Sequence, residues 1–267
     1  MRVRGAILNP LTWPLPLEGG EEKGFKASAT HNGQRTMDNV HPIPWTIDEI
    51  LKATGGELLC GDKPRAFEKV SIDSRDISAG DLFVAIVGEV HDGHLFANEV
   101  VEKGVGGLVV AKDKANELPI SDWQSRQIAC VAVSDTQQAL GDLAAFHRSR
   151  TEVAVVAITG SNGKTTTRQM TAEVVAQKFN SLSTIGNYNN QIGVPLTLLR
   201  LAPEHTWAVI ELGTSSPGEI ARLAQICMPD IGVITNIGPA HLEGLGSLDG
   251  VMREKGQLID HLKTGGR

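Results

Sequence analysis

One junction constrains this chain more than any other. A continuous apolar run, EVAVVAI (152–158), leads straight into a glycine loop, TGSNGKTTT. An uninterrupted run of that kind suits a strand buried on both faces. The segment after the loop reads as a helix through about Phe179. Strand, glycine loop and helix together make the arrangement in which backbone N–H groups and a helix N-terminus hold a phosphate. The common spacing, G-x-x-x-x-G-K-[ST], would place a glycine at 158, and Ile158 stands there instead. The loop is therefore shorter on its upstream side. Gly160 and Gly163 let the backbone turn tightly, Lys164 can reach the β- and γ-phosphates, and the Thr165 hydroxyl can ligate Mg²⁺.

The alternation continues downstream. WAVIEL and IGVITNI read as two further buried strands, and PGEIARLAQI and LDGVMREKGQLIDHL as helices. Strand–helix alternation predicts an α/β fold with a parallel sheet and helices on its faces. Upstream, IPWTIDEILKATGGELL carries a helix with Thr46 as N-cap, Glu49 three residues on, and Gly55-Gly56 as its stop. KVSIDSRDISAGDLFVAIVG holds two strand-like runs around a turn. HLFANEVVEKGVGGLVVA reads as helix, glycine stop and buried strand, and IACVAVSD as another strand.

The expected organisation has four parts. Residues 1–40, rich in Gly, Pro, Asn and charge, form a flexible extension or reflect a start codon assigned too far upstream. Residues 41–134 form a small α/β domain, and 135–150 a connecting helix. Residues 151–267 form a parallel-sheet ATP-binding domain of the phosphate-loop type. The sequence closes at KTGGR, just as a loop begins and without a further strand. That predicts an incomplete domain, a fragment of something longer, whose last strand lacks a neighbour.

Composition narrows the function. The net charge is -6, which argues against a broad nucleic-acid surface. Cys60, Cys130 and Cys227 are odd in number and widely spaced, which argues against a disulfide framework or a zinc site and favours a reducing cytoplasm. No apolar run approaches the roughly 20 residues of a membrane span, so no membrane insertion is expected. The proline-broken N-terminus does not read as a signal peptide.

Three strand ends supply candidate chemistry. Lys164 and Thr165 follow the first strand, Glu211 ends the second, and His241 follows the third in TNIGPAHLEG. Ligands in such sheets bind at the carboxyl ends of the strands. Glu211 alone is an ordinary strand-end acid, and His241 alone a solvated or structural histidine. Their convergence with the phosphate loop is what suggests metal ligation. Lys255, fourteen residues after His241, reads on its own as a solvated helix lysine.

At this point a resemblance enters. AITGSNGKTTTRQM, GNYNNQIGVPLTLL, ELGTSSPGEI and TNIGPAHLEGLGSLDGVMREKGQLI together resemble the Mur ligases of peptidoglycan synthesis. The likeness spans about residues 43–262. GNYNNQIGVPLTLL and SIDSRDISAGDLFVAIVGEVHDGHLF look like the branch that adds D-alanyl-D-alanine to a UDP-N-acetylmuramoyl tripeptide. The resemblance implies that ATP phosphorylates the terminal carboxylate and that the amine of D-alanyl-D-alanine attacks the acyl phosphate. It implies that Gly160, Ser161, Asn162, Gly163, Lys164, Thr165 and Thr166 hold the triphosphate. Thr165 and Glu211 would hold one Mg²⁺ and His241 a second. Lys255 matches a lysine that is often carbamylated. Ser74 and Arg75 match the region receiving the uridine nucleotide, and Asn189 and Asn190 a segment near the muramoyl pyrophosphate. For these four, loop hydrogen bonding is the alternative. ELGTSS departs from many relatives. The family's closing C-terminal domain is missing, so little turnover is expected from this chain alone. It is expected to be monomeric. The competing readings are the diaminopimelate- or lysine-adding sister ligases, a folylpolyglutamate synthase, and a non-catalytic nucleotide-binding remnant.

Overall fold

The computed structural model describes residues 43–62, 66–88 and 92–267. The extension expected at 1–40 lies outside them. The first part of the described chain runs through β1 (Trp45–Thr46), α1 (Ile47–Thr54), β2 (Glu57–Cys60), β3 (Ala66–Phe67), β4 (Val70–Ser71) and β5 (Leu82–Val84). It continues through α2 (Ala97–Glu102), β6 (Gly107–Ala111), α3 (Ile120–Ser125) and β7 (Ala129–Val133). The expected capping box is present. Glu49 N–H donates to Thr46 Oγ1, and Thr46 N–H donates back to Glu49 Oε2 at 2.9 Å. Gly55 closes the helix in a left-handed conformation.

Five of these strands form a sheet in the order β2-β7-β6-β5-β4, and β1 pairs separately with β3. All neighbours are parallel except β2, which runs antiparallel to β7. Every residue of β6 and β7 is buried, as central strands covered on both faces require. The β2 pairing is a finding that the sequence reading did not contain.

Helix α4 (Thr136–Ser149) leads out of this sheet. After it come β8 (Ala154–Thr159), α5 (Lys164–Ala176), β9 (Ser181–Ser183), α6 (Gly193–Leu198), β10 (Trp207–Glu211) and α7 (Glu219–Cys227). The chain ends through β11 (Ile231–Ile234), α8 (Leu242–Leu245) and α9 (Leu248–Asp260). The second sheet is wholly parallel, in the order β11-β8-β10-β9. Helix α5 ends at Ala176, three residues short of the expected Phe179. Alternate side chains of β8 serve opposite faces. Val155 and Ala157 join the core that holds Leu223 of α7 and Leu258 of α9, whereas Val156 and Ile158 pack with Ala172 of α5. At the β11 edge, Gly232 N–H donates to Arg267 O and Arg267 N–H to Asp230 O, so the outer strand is engaged at that point. Among the described residues, no helix is long and apolar enough to cross a membrane.

The end of α4 fastens its surroundings. Arg148, fully buried, donates Nε to Cys227 O at 3.0 Å and Nη1 to Thr151 O at 3.1 Å. His147 is bonded at both ring nitrogens. Arg150 Nη2 donates to Nδ1, so Nε2–H donates to Leu201 O at 2.8 Å and the ring is neutral. Burial pushes its pKa down to about 4 from the usual 6.5. The unfolded chain then binds a proton that the folded chain refuses between those values. The contribution of His147 to stability is therefore complete above about 6.5 and is lost as pH falls towards about 4. Thermal melts across that window should show a shallower loss in His147→Gln than in the parent. An unchanged slope would refute this account.

Candidate functional site

The loop after β8 sits at the carboxyl end of a central strand, with β10 on one side and β11 on the other. Gly160 adopts φ 148°, and Gly163 begins α5 with φ 78°. Backbone bonds stitch the loop to the segment after β11. Ser161 N–H donates to Asn236 O at 3.1 Å, and Asn162 N–H to Asn236 Oδ1 at 2.9 Å. The Ser161 hydroxyl donates to Gly238 O at 2.8 Å, and the Thr235 hydroxyl donates to Asn162 O at 2.6 Å. The side chain of Lys164 folds back, its Nζ donating to Gly160 O at 2.8 Å. Thr166 stands exposed in the first turn of α5.

Glu211 closes β10 and is 1% exposed. Its Oε1 accepts from the Thr165 hydroxyl at 3.2 Å and from Asn189 Nδ2 at 2.9 Å. Its Oε2 is buried and has no hydrogen-bond partner among the described residues. Arg168 Nε lies 3.7 Å from that oxygen, an ion pair without a hydrogen bond. A buried carboxylate oxygen left open beside a hydroxyl and a phosphate-type loop fits a hard cation with oxygen ligands.

Lys255 corrects the sequence reading. It is not a solvated lysine but 1% exposed, on a helix packed against the sheet. Burial, followed by repulsion from Lys164, brings its pKa down to about 8, against the pull of Glu254.

The remaining expected residues are placed as follows. His241 is exposed and left-handed, at φ 53°. Its carbonyl accepts Gly244 N–H and Leu245 N–H, so its backbone opens α8. Among the described residues, no three His, Cys, Asp or Glu side chains gather as a metal cluster. Asn190 Oδ1 accepts Gly193 N–H at 2.8 Å and so caps α6. Ser74 is buried after β4, and its carbonyl accepts Lys103 Nζ at 2.7 Å. Exposed Arg75 clasps Asp73 through Nε and Nη2 and holds that carboxyl down at about 2. Ser74 and Arg75 thus lie in the short helical turn after β4, bonded to Lys103 and Asp73.

Sequence reasoning missed Arg168, Thr235, Asn236 and the bond from Asn189 to Glu211. The signal available for Thr235 and Asn236 was their place directly after a buried strand, beside the strand that carries the loop.

The comparisons with known proteins give the family. The Mur ligase middle domain profile matches residues 158–267, and that of the Mur ligase family catalytic domain matches 67–148. The chain belongs to the Mur ligase family. Its phosphate loop, Glu211 and Lys255 all fall within the matched Mur ligase middle domain. A curated relative from Escherichia coli (strain K12), UDP-N-acetylmuramoyl-tripeptide--D-alanyl-D-alanine ligase, is 41% identical over 224 residues, 84% of this chain and 47% of the relative. The relative of the same name from Bacillus subtilis (strain 168) is 37% identical over 225 residues, 84% of this chain and 48% of the relative. Among solved structures, MurF from Acinetobacter baumannii superposes with a TM-score of 0.76 at 38% identity, covering 85% of this chain and 48% of that one. MurF ligase from Thermotoga maritima in complex with ADP gives 0.65 at 32% identity, covering 73% and 43%. The chain thus spans about half the length of the Mur ligases it matches.

Proposed function

We propose that this chain is the nucleotide- and UDP-substrate-binding part of a D-alanyl-D-alanine-adding Mur ligase. In this reading, residues 41–134 receive the UDP-N-acetylmuramoyl tripeptide, with Ser74 and Arg75 at the uridine end. Residues 135–150 connect, and residues 151–267 bind ATP. The observation that carries the reading is the open Oε2 of Glu211, buried beside the Thr165 hydroxyl at the foot of the glycine loop. Relatives named for D-alanyl-D-alanine ligation, and a similar structure solved with ADP, support it.

The roles follow from charge and position. The N–H groups of Gly160 to Thr166 and the N-terminus of α5 cradle the triphosphate. Lys164 leaves Gly160 O to neutralise the outer phosphates. Thr165 and Glu211 would hold Mg²⁺, with His241 supplying a ligand to a second ion. Such a cation supplies charge neutralisation and alignment of the transferring phosphoryl group. The substrate carboxylate then attacks the γ-phosphorus as ADP leaves, and the amine of D-alanyl-D-alanine displaces phosphate from the acyl phosphate. Asn189 fixes the Glu211 carboxylate, and Asn190 fixes the segment that carries Asn189. Such a protein would work in the cytoplasm as a monomer.

Calorimetric titration with Mg-ATP, and separately with the UDP-muramoyl tripeptide, tests the reading. Saturable binding of both is expected. A cooperative melt with neither ligand bound would sink it.

Lys255 carries a further expectation. At pKa about 8, roughly a quarter of the amine is neutral near pH 7.5, against about a thousandth for an ordinary lysine. A neutral amine adds CO2 to give an anionic carbamate and one proton. Under ¹³C-labelled CO2, a carbamate carbon signal beside that of the N-terminal amine should appear, grow with pH at fixed dissolved CO2, and vanish in Lys255→Arg. Persistence of the signal in that variant would place the carbamate elsewhere.

A further inference from the structure

The loop 213–218 follows Glu211 closely and has no regular structure, yet two carboxylates hold it. One is local. Glu219, the first residue of α7, accepts Ser215 N–H at 2.6 Å and Ser216 N–H at 2.9 Å. The other comes from a different helix. Glu254, in the middle of α9, accepts Gly218 N–H at 2.7 Å, Ile220 N–H at 2.8 Å and the Thr214 hydroxyl at 3.3 Å. Helix α7 starts after Gly218, which has no side chain to cap it. Glu254 supplies from α9 the acceptor that a capping residue would provide. It is only 5% exposed, and a carboxylate is stable there because these donors replace its water.

The loop so held touches the candidate site on two sides. Gly213 N–H donates to Asn189 O at 2.8 Å, and the Asn189 side chain reaches Glu211. On the other side, Gly244 lies so close that a methyl group on it would fall on the Ser215 carbonyl oxygen. Gly244 belongs to the turn that His241 opens.

We propose that Glu254 is a positioning residue of the candidate site: through the loop 213–218 it sets the spacing between Glu211 and the His241 turn. Lys255, the next residue on α9, is kept in register by the same anchor. The proposal deepens the ligase reading, and it rests on that reading for what Glu211 and His241 bind. Groups that orient ligands from behind are worth about 10–100-fold in metal affinity.

The test uses Glu254→Ala and Glu254→Gln in the full chain. Amide hydrogen exchange comes first, because it needs no ligand. Faster exchange is expected in Glu254→Ala at both 214–220 and 242–246. A change confined to 214–220 would overturn the coupling. ATP affinity is then measured with and without Mg²⁺. The expected result for Glu254→Ala is an unchanged affinity in chelator and a Mg²⁺ enhancement cut by at least about 10-fold, with partial rescue in Glu254→Gln, which keeps one acceptor. Equal loss with and without Mg²⁺ would reduce Glu254 to a structural role, and an unchanged enhancement would refute the proposal outright. No Mg²⁺ enhancement in the unaltered chain would instead overturn the ligase reading.

Discussion

Lys164→Ala is expected to weaken Mg-ATP binding by at least about 100-fold, or about 2.8 kcal/mol. The variant should melt within a few degrees of the parent. The two halves of the expectation have separate causes. Without ligand, Lys164 makes a single bond to the carbonyl of its own loop, at Gly160 O. That carbonyl can turn to water when the side chain is gone, so little stability is at stake. With ligand, the ammonium would meet polyphosphate oxygens in a partly desolvated cradle, where charge-assisted bonds are strongest. Removing it also removes the charge that repels Lys255, whose pKa should then rise from about 8. Calorimetry with Mg-ATP, paired with a thermal melt, separates the effects. Parental affinity in the variant would show that the loop does not hold the triphosphate in the assigned way.

Gly160→Ala is expected to damage both the fold and the site. Gly160 sits at φ 148°, and an added methyl group would fall on the Thr235 hydroxyl oxygen. That hydroxyl is committed, since it donates to Asn162 O at 2.6 Å. The methyl group therefore forces apart the loop and the segment after β11. Backbone strain, the steric clash and a lost hydrogen bond together cost roughly 2–4 kcal/mol, which for a chain of this size is on the order of a 5–15 °C drop in melting temperature. ATP binding should fall with it. Gly163→Ala makes the control. Its φ is also positive, but nothing lies within 4 Å of the added carbon, so its cost should stay near about 1 kcal/mol. Equal destabilisation by the two variants would contradict the close approach at Thr235.

The two sheets were legible to different degrees. β8, β10 and β11 are short apolar runs between glycine-rich turns, and alternation with helices fixed them as parallel neighbours. β9 was not legible because SLS is three residues without periodicity, made a strand only by pairing with Trp207–Val209 of β10. Helix α6 was missed for a related reason. It holds Pro195 and Gly193 and forms because its apolar residues are buried and Asn190 caps it. The phosphate loop was readable because its chemistry is local. Lys255 was not, since a lysine between Glu254 and Gly256 gives no sign of burial. Its burial comes with the packing of α9 against α7 and the sheet, whose strand β8 lies about 90 residues earlier in the chain. The setting of Glu211 belongs to the same class: Thr165 and Asn189, which bond its Oε1 and leave Oε2 open, lie 46 and 22 residues away.

The stitching of the glycine loop also bears on the order of assembly. Asn162 meets Asn236 across 74 residues, and Ser161 meets Gly238 across 77. Contacts at such separations close late, after local turns and helices have formed. During synthesis, β8 and the start of α5 emerge from the ribosome long before the segment that clamps their loop. The nascent chain therefore passes through a stage with the glycine sequence complete but the cradle unformed. The cradle proposed for the nucleotide is complete only once residues 235–238 are out and β11 has docked beside β8.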